Sequence, residues 1–119
     1  MPHLVPLSTL ALSVIKELLA ECGSSAWLLP SPVDSEKPID ERALTRAVAR
    51  KKYGWTVHDV RRTVRTRLSG LGVTAVVAER VIGHELPDLI AVYDVHAYEK
   101  ETRAALTKWT RELRRILKM

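Results

Sequence analysis

The sequence has little cysteine and no long apolar segment, and both deficits exclude whole classes of protein. Its single cysteine, Cys22, cannot form an internal disulfide and has no second cysteine with which to make a CxxC zinc site. No apolar run approaches the roughly 18 residues that a membrane-spanning helix needs, and the N-terminus does not resemble a secretion signal. We therefore expect a cytoplasmic protein with no membrane partner.

Length and composition are those of one small globular domain. The 119 residues can enclose a single hydrophobic core but not two, so we assign residues 1–119 to one domain. Hydrophobic residues make up 46% of the chain and charged residues 28%, a balance that excludes a mainly disordered protein.

Positive charge is concentrated in the middle of the chain. The formal net charge is +5, yet the segment from Arg42 to Arg67 alone holds nine lysine or arginine residues and one acid, Asp59. Because this local excess is larger than the net charge of the whole chain, the remaining residues are net acidic. An electropositive segment of this kind suits the phosphate backbone of a nucleic acid.

The spacing of apolar residues predicts a mainly α protein with a small β component, an α+β helical bundle with short N-terminal strands. Alternating residues at 3–7 and a short apolar run at 26–29 predict the strands. The predicted helices lie, in chain order, at Thr9–Cys22, 40 to about 52, 57–70, 75–82, 88–92 and 98–117. The last helix has an apolar face of Leu106, Trp109, Leu113 and Ile116.

Several helix ends carry recognisable capping residues. Thr56 with Asp59 three positions later predicts a capping box at the start of the 57–70 helix. Gly83 predicts the end of the 75–82 helix, and Asp40 is the predicted N-cap of the 40–52 helix. The predicted inward residues are Leu44, Ala47 and Val48 in the 40–52 helix and Val57, Val60, Val64 and Leu68 in the 57–70 helix.

The candidate catalytic residues lie between positions 58 and 93. His58 and Arg61 are three positions apart on a predicted helix, so their side chains project from one face and could reach a common anion. His84 follows a glycine, and Tyr93 offers a hydroxyl that could attack a phosphodiester if neighbouring cations stabilise the resulting charge. Taken singly, each residue also fits a plainer role as a capping histidine, a solvated arginine or a half-buried tyrosine.

The ordered set His58-Asp-Val-Arg61, Ile82-Gly83-His84 and Tyr93 resembles the tyrosine recombinases, or phage-type integrases. That family carries a His-x-x-Arg helix, then Leu-Gly-His, then a nucleophilic tyrosine nine residues after the histidine. The run VYDVHAYEKETRAALTKW is similar to the prophage integrase branch. The resemblance covers nearly the whole chain and implies the C-terminal part of a catalytic domain.

The resemblance implies a reaction and a role for each residue. Tyr93 attacks the scissile phosphate of double-stranded DNA at an attachment or core site, forming a 3′-phosphotyrosyl link and releasing a 5′-hydroxyl. His58 assists proton transfer, while Arg61 and His84 hold the non-bridging oxygens. The family acts in the bacterial host cell as a tetramer on DNA, without metal, cofactor or small-molecule substrate. The candidate DNA contacts are Arg46, Arg50, Lys51, Lys52, Arg62 and Arg65.

The sequence departs from the family pattern at its beginning. That pattern also needs an earlier arginine, a lysine from a β-hairpin and an N-terminal DNA-binding domain, and none has a counterpart before the first predicted helix. We therefore expect an incomplete catalytic segment with little activity by itself. Two alternatives stay open: a non-catalytic module that binds DNA or assembles with an intact integrase, and a degenerate prophage remnant. The final helix packs either within the chain or on a neighbouring protomer.

Overall fold

The computed structural model describes residues 4–84 and 98–119, and this described part is mainly helical. Its helices are α1 (Thr9–Cys22), α2 (Ala43–Lys51), α3 (Val57–Gly70), α4 (Ala75–Val81) and α5 (Glu99–Leu117). The mainly α prediction is confirmed, and the helix bounds agree closely except that α2 begins later than predicted. The helix predicted at 88–92 lies outside the described residues.

Neither of the predicted N-terminal strands is present in the described residues. Residues 4–7 have no regular secondary structure, and residues 26–29 follow a series of bends. The β-type pairing found in residues 4–84 and 98–119 is an isolated antiparallel bridge between Pro30 and Pro38. The two prolines form a non-hydrogen-bonded pair, flanked by backbone bonds from the N–H of Ser31 to the carbonyl oxygen of Lys37 and from the N–H of Ile39 to that of Leu29, both at 2.8 Å.

Thr9–Val60 forms one compact unit, which contains α1, α2 and the loop between them. In that loop the indole Nε1 of Trp27 donates to the carbonyl oxygen of Glu36 at 2.9 Å. Neither α1 nor α2 contains a buried residue. Leu44 of α2 is 63% exposed, so the prediction that it faces inward is wrong: its side chain meets solvent rather than another element.

The buried core lies in the second compact unit, which consists of residues 1–8 and Arg61–Met119. Leu68 and Ala78 are completely buried, and Val77 and Ala105 are nearly so. α4 packs directly against α5. The partly buried residues packed around this core are Val64, Val73, Val81 and Trp109. The part of the α5 apolar face that includes Trp109 therefore packs within the chain.

The capping box predicted at the start of α3 is confirmed. The backbone N–H of Asp59 donates to Oγ1 of Thr56 at 3.2 Å, and the N–H of Thr56 donates to Oδ2 of Asp59 at 2.9 Å. These two bonds satisfy donors that the first helical turn leaves open. The prediction that Asp40 is the N-cap of α2 is wrong, because the N-cap is Arg42 and has no side-chain cap bond. Asp40 lies before the helix, and its Oδ1 accepts from the N–H of Arg42 at 2.7 Å.

The predicted core face of α3 is confirmed towards the C-terminal end of the helix. Leu68 is completely buried and Val64 packs against the core, whereas Val60 is 48% exposed and was wrongly assigned to the core. Near the same end, Nη1 of Arg67 lies 3.6 Å from Oε1 of Glu112 on α5. Both apolar burial and an ion pair therefore tie this part of α3 to its neighbours.

Candidate functional site

His84 is held in place by the way in which α4 ends. Gly83 adopts a left-handed conformation with a φ of 76°, and its N–H donates to the carbonyl oxygen of Arg80 at 3.1 Å. The N–H of His84 donates to the carbonyl oxygen of Glu79 at 2.9 Å. These paired bonds form a Schellman motif, in which glycine tolerates the positive φ that a side chain would resist. The predicted helix-ending role of Gly83 is confirmed.

Arg61 reaches the same end of α4 from α3. Its Nη2 donates a hydrogen bond to the carbonyl oxygen of Ile82, the C-cap residue of α4. The last carbonyl groups of a helix carry partial negative charge, so a guanidinium is favourable there. A guanidinium has five N–H donors, and this bond uses one of them. The structure thus brings together Arg61 and His84, two of the residues that the sequence predicts to be catalytic.

A carboxylate links this helix end to a second arginine. Glu79 accepts a hydrogen bond from Nε of Arg65 through Oε1 at 2.9 Å, and its Oε2 lies 2.6 Å from Nδ1 of His84. Arg65 lies one turn beyond Arg61 on α3, so both arginines project from the same face of that helix. We refer to Arg61, Arg65, Glu79 and His84 as the α4-end cluster.

The electrostatics of the α4-end cluster keep Glu79 ionised. The hydrogen bond from Arg65 holds the pKa of the Glu79 carboxyl below its ordinary value, and the hydrogen bond with His84 lowers that pKa further. Partial burial opposes both effects, because removal from water disfavours a charged carboxylate. An ionised carboxylate has no proton to give, so Glu79 accepts hydrogen bonds from its neighbours and donates none.

The four side chains of the α4-end cluster differ in their exposure to solvent. The side chain of His84 is 54% exposed and Arg61 is exposed too, whereas the side chains of Arg65 and Glu79 are 26% and 22% exposed. An anion from solution could therefore approach Arg61 and His84 directly. Arg65 and Glu79 are better placed to orient the other two residues than to bind a large ligand themselves.

The other predicted site residues differ in their exposure and in their protein partners. His58 lies in the first turn of α3 and is exposed, and Tyr93 lies outside the described residues. Two predicted DNA contacts have protein partners, since Arg46 pairs with Asp40 at 3.2 Å and Arg65 pairs with Glu79. The predicted contacts that are exposed are Arg46, Arg50, Lys51, Lys52 and Arg62. Contact of all these cations with DNA stays a prediction.

Tyr98, the tyrosine nearest in sequence to Tyr93, occupies a structural position at the start of α5. Its backbone is left-handed, with a φ of 62°, and its carbonyl oxygen accepts from Oγ1 of Thr102 at 2.9 Å. The guanidinium carbon of Arg80 lies 5.3 Å from the centre of the tyrosine ring, within the range of a cation–π contact. The ring of Tyr98 therefore contacts the residue that flanks Glu79 on α4.

Metal-ligating and membrane-spanning features are both absent from residues 4–84 and 98–119. These residues include no group of three or more histidine, cysteine, aspartate or glutamate side chains that could hold an ion. Across the same ranges, no helix has the length and apolar character needed to cross a bilayer.

Glu79 is the residue of this site that the sequence pattern failed to reveal. It lies five positions before His84, a spacing that an uninterrupted helix does not place on one face. The left-handed turn at Gly83 changes the direction of the chain and brings the imidazole back to the carboxylate. The predicted helix stop at Gly83 was the available signal, since it implied that His84 would not continue the helical path of α4.

Comparison with known proteins supports a relationship to prophage integrases. The chain is similar to Prophage integrase IntZ of Escherichia coli (strain K12), with 29% identity over 119 residues. The alignment covers 98% of this chain and 29% of that protein, so the chain spans less than a third of the length of the relative that it matches. No family model matches the chain, and no solved structure matches it.

Proposed function

We propose that this chain is a segment of a prophage-type tyrosine recombinase and takes part in site-specific DNA cleavage and rejoining. Tyr93 is the nucleophile, Arg61 and His84 bind the scissile phosphate, and His58 assists proton transfer. The substrate is double-stranded DNA at an attachment or core site in the cytoplasm of a bacterial host cell. The intact enzyme acts as a tetramer assembled on that DNA.

The observation that carries this proposal is that Arg61 and His84 both lie at the C-terminal end of α4. Arg61 bonds to the carbonyl oxygen of Ile82, and His84 follows that residue after a single left-handed glycine. Both side chains can donate N–H groups to an oxyanion, and both are exposed. Donors that are fixed before the reaction stabilise the charge that develops on the non-bridging phosphate oxygens. Similarity to Prophage integrase IntZ supports the same conclusion from a separate direction.

The proposed reaction conserves the phosphodiester bond energy. A tyrosine hydroxyl is a weak nucleophile at neutral pH, so His58 accepts the proton of Tyr93 as its oxygen attacks phosphorus. The bond from phosphorus to the 5′ oxygen breaks, and that oxygen takes up a proton and leaves as a 5′-hydroxyl. Attack by another 5′-hydroxyl on the 3′-phosphotyrosyl link restores a phosphodiester and frees Tyr93. No step consumes a nucleotide or requires a cofactor.

Binding affinity in this proposal comes from exposed cations that contact the DNA backbone. Arg50 and Lys51 lie at the end of α2, Lys52 follows them, and Arg62 lies on α3. Such contacts displace condensed counterions from DNA, so binding should weaken steeply as the salt concentration rises. They position the protein without selecting a base sequence.

We further propose that the 119 residues alone cleave DNA slowly. The family pattern uses an additional arginine and a hairpin lysine, and the resemblance assigns neither of them to a residue of this chain. Removal of one donor to a developing oxyanion commonly costs about 10²- to 10³-fold in rate. Binding to DNA depends on many contacts and should survive this deficit.

Incubation with a pool of nicked duplexes that carry a randomised core sequence tests both parts of the proposal. A denaturing gel should reveal a small, slowly formed fraction of protein covalently joined to DNA, and fluorescence anisotropy should show salt-dependent binding of the same pool. Rapid and complete trapping would contradict slow cleavage. Absence of binding even at low salt would contradict the proposed function.

The second candidate function is a non-catalytic module that binds DNA or joins an intact integrase. The exposed cations Arg50, Lys51, Lys52 and Arg62 favour it, because contacts with a phosphate backbone need no catalytic residue. Salt-dependent binding without any covalent product, in the 119-residue chain and in an intact enzyme that contains it, would favour this candidate. A degenerate remnant would neither bind DNA nor alter recombination by an intact integrase.

A further inference from the structure

Glu79 connects two residues whose proposed tasks differ. One carboxylate oxygen accepts from Arg65 at 2.9 Å, and the other lies 2.6 Å from Nδ1 of His84. The backbone adds a second bond between Glu79 and His84, because the carbonyl oxygen of Glu79 accepts from the N–H of His84 at 2.9 Å. Backbone and side chain of one glutamate therefore both hold the same histidine.

This arrangement determines which imidazole nitrogen carries a proton. Glu79 is ionised and can only accept, so a hydrogen bond at 2.6 Å requires a proton on Nδ1 of His84. The other ring nitrogen, Nε2, is then an acceptor in the neutral imidazole and a donor in the imidazolium ion. The partner of one ring nitrogen thus decides what the other can offer to a ligand.

We infer that Glu79 is a positioning residue that holds His84 with Nδ1 protonated and reserves Nε2 for the DNA phosphate. The assignment of Nε2 to phosphate rests on the proposed function. A hydrogen bond from Nε2 to a phosphate oxygen needs both ring nitrogens protonated, and the adjacent carboxylate offsets the charge of that imidazolium. Arg65 has a supporting part, because its ion pair fixes the second oxygen of Glu79 and so limits rotation of the carboxylate.

The proton position can be measured without DNA. In the ¹⁵N-labelled 119-residue chain, long-range proton–nitrogen spectra above the titration range of histidine distinguish protonated from unprotonated ring nitrogens. His84 should show a protonated Nδ1 and a bare Nε2, the reverse of the tautomer that a free imidazole prefers. Loss of one signal set in His84→Gln identifies the residue among the four histidines of the chain.

Variants at Glu79 and Glu112 distinguish a specific effect on the His84 tautomer from a general loss of folding stability. Glu79→Ala should return His84 to the tautomer of free imidazole, and Glu79→Gln should partly retain the native tautomer because an amide oxygen still accepts. Glu112→Ala is the matched control, since Glu112 likewise forms ion pairs, with Arg67 and Arg115, but has no histidine partner in the described structure. It should leave the His84 spectrum unchanged.

Two outcomes overturn the inference. One is a wild-type His84 that already has the free-imidazole tautomer, and the other is a native tautomer that persists in folded Glu79→Ala. If Glu79→Ala does not fold, as a lost amide dispersion would show, the wild-type spectrum and Glu79→Gln still decide the question. A native tautomer in a chain that binds no DNA would uphold the role of Glu79 and reject the proposed function, so the two failures are distinguishable.

Discussion

Arg61 donates a hydrogen bond to the carbonyl oxygen of Ile82, which ties α3 to the residue that caps the C-terminus of α4. One turn further along α3, Arg65 pairs with Glu79 of α4. The first arginine is exposed, and the second is partly buried. Two arginines on one helix face therefore have different surroundings, and changes to them should have separable effects on cleavage, affinity and stability.

Replacement of Tyr93 should abolish the covalent intermediate in an intact enzyme built around this segment. Tyr93→Phe removes only the attacking oxygen, so the cationic surface remains and affinity for DNA should be unchanged. Tyr98→Phe is the matched control, because it removes a hydroxyl but keeps the ring that Arg80 contacts. Phosphotyrosine-linked DNA on a denaturing gel provides the measurement. An adduct formed by Tyr93→Phe but not by Tyr98→Phe would mean that the nucleophile has been assigned to the wrong tyrosine.

Arg61→Ala should reduce cleavage far more than it reduces affinity. A cation that acts chiefly as charge develops stabilises the transition state more than the bound substrate, and its loss costs about 10²- to 10³-fold in rate. Arg62→Ala, which changes the exposed neighbour, should weaken binding and lower the slope of log affinity against log salt by about one, with little effect on the rate once DNA is bound. Single-turnover rates and anisotropy titrations compare the variants. Equal losses of rate in both variants would argue against a special role for Arg61.

The ion pair of Glu79 should make folding stability depend on pH. The pKa of Glu79 is lowered in the folded chain, so its contribution to the free energy of unfolding is present above the ordinary glutamate pKa and is lost as the pH falls through the lowered value. Glu79→Gln should therefore be less stable than wild type at about pH 7, and the difference should shrink as the pH falls below the ordinary glutamate pKa. Urea unfolding at several pH values gives both free energies. A difference that does not change with pH would exclude the carboxylate charge as its cause.

Gly83→Ala should destabilise the chain and disturb His84. The φ of 76° at this position places a side chain in the left-handed region, at a cost of about 1–2 kcal/mol. Gly70→Ala is the opposite case: Gly70 ends α3 without a positive φ, and an added Cβ there meets no atom within 4 Å. That variant should be stabilised by about 0.5 kcal/mol through a less flexible unfolded chain. Thermal unfolding compares the two, and equal shifts would contradict the role of the αL turn.

Leu68→Ala should be the most damaging of the single core truncations. Leu68 is completely buried, and the loss of such a leucine side chain costs about 2–5 kcal/mol because a cavity replaces its contacts. Leu117→Ala lies in the same compact unit at the end of α5, where the leucine is 56% exposed, and should change the free energy of unfolding by less than about 0.5 kcal/mol. Chemical denaturation followed by circular dichroism measures both. A small effect at Leu68 would place the core elsewhere.

Helix positions were accessible from the sequence because the signals that set them are local. The reciprocal bonds of Thr56 and Asp59 form between residues three positions apart, and the αL conformation of Gly83 is an intrinsic property of glycine. The short strands were not predictable in the same way, because a strand needs a partner strand. In the described chain residues 26–29 belong to no ladder, although the carbonyl oxygen of Leu29 accepts from the N–H of Ile39 at 2.8 Å beside the isolated bridge. Burial was not predictable at every position either, because Val60 and Leu44 were predicted to face inward and are exposed.

The sequence by itself determined the helical order, the capping box of α3, the glycine that ends α4, and the residue types that suit a phosphate: a His-x-x-Arg helix and a histidine after a helix-ending glycine. Tertiary structure alone decided that Arg61 bonds to Ile82 and that Arg65 pairs with Glu79. The physical reason is distance along the chain. Capping and helical periodicity act within about five residues, whereas Arg65 and Glu79 are 14 positions apart and meet because packing around Leu68 and Ala78 brings α3 and α4 together.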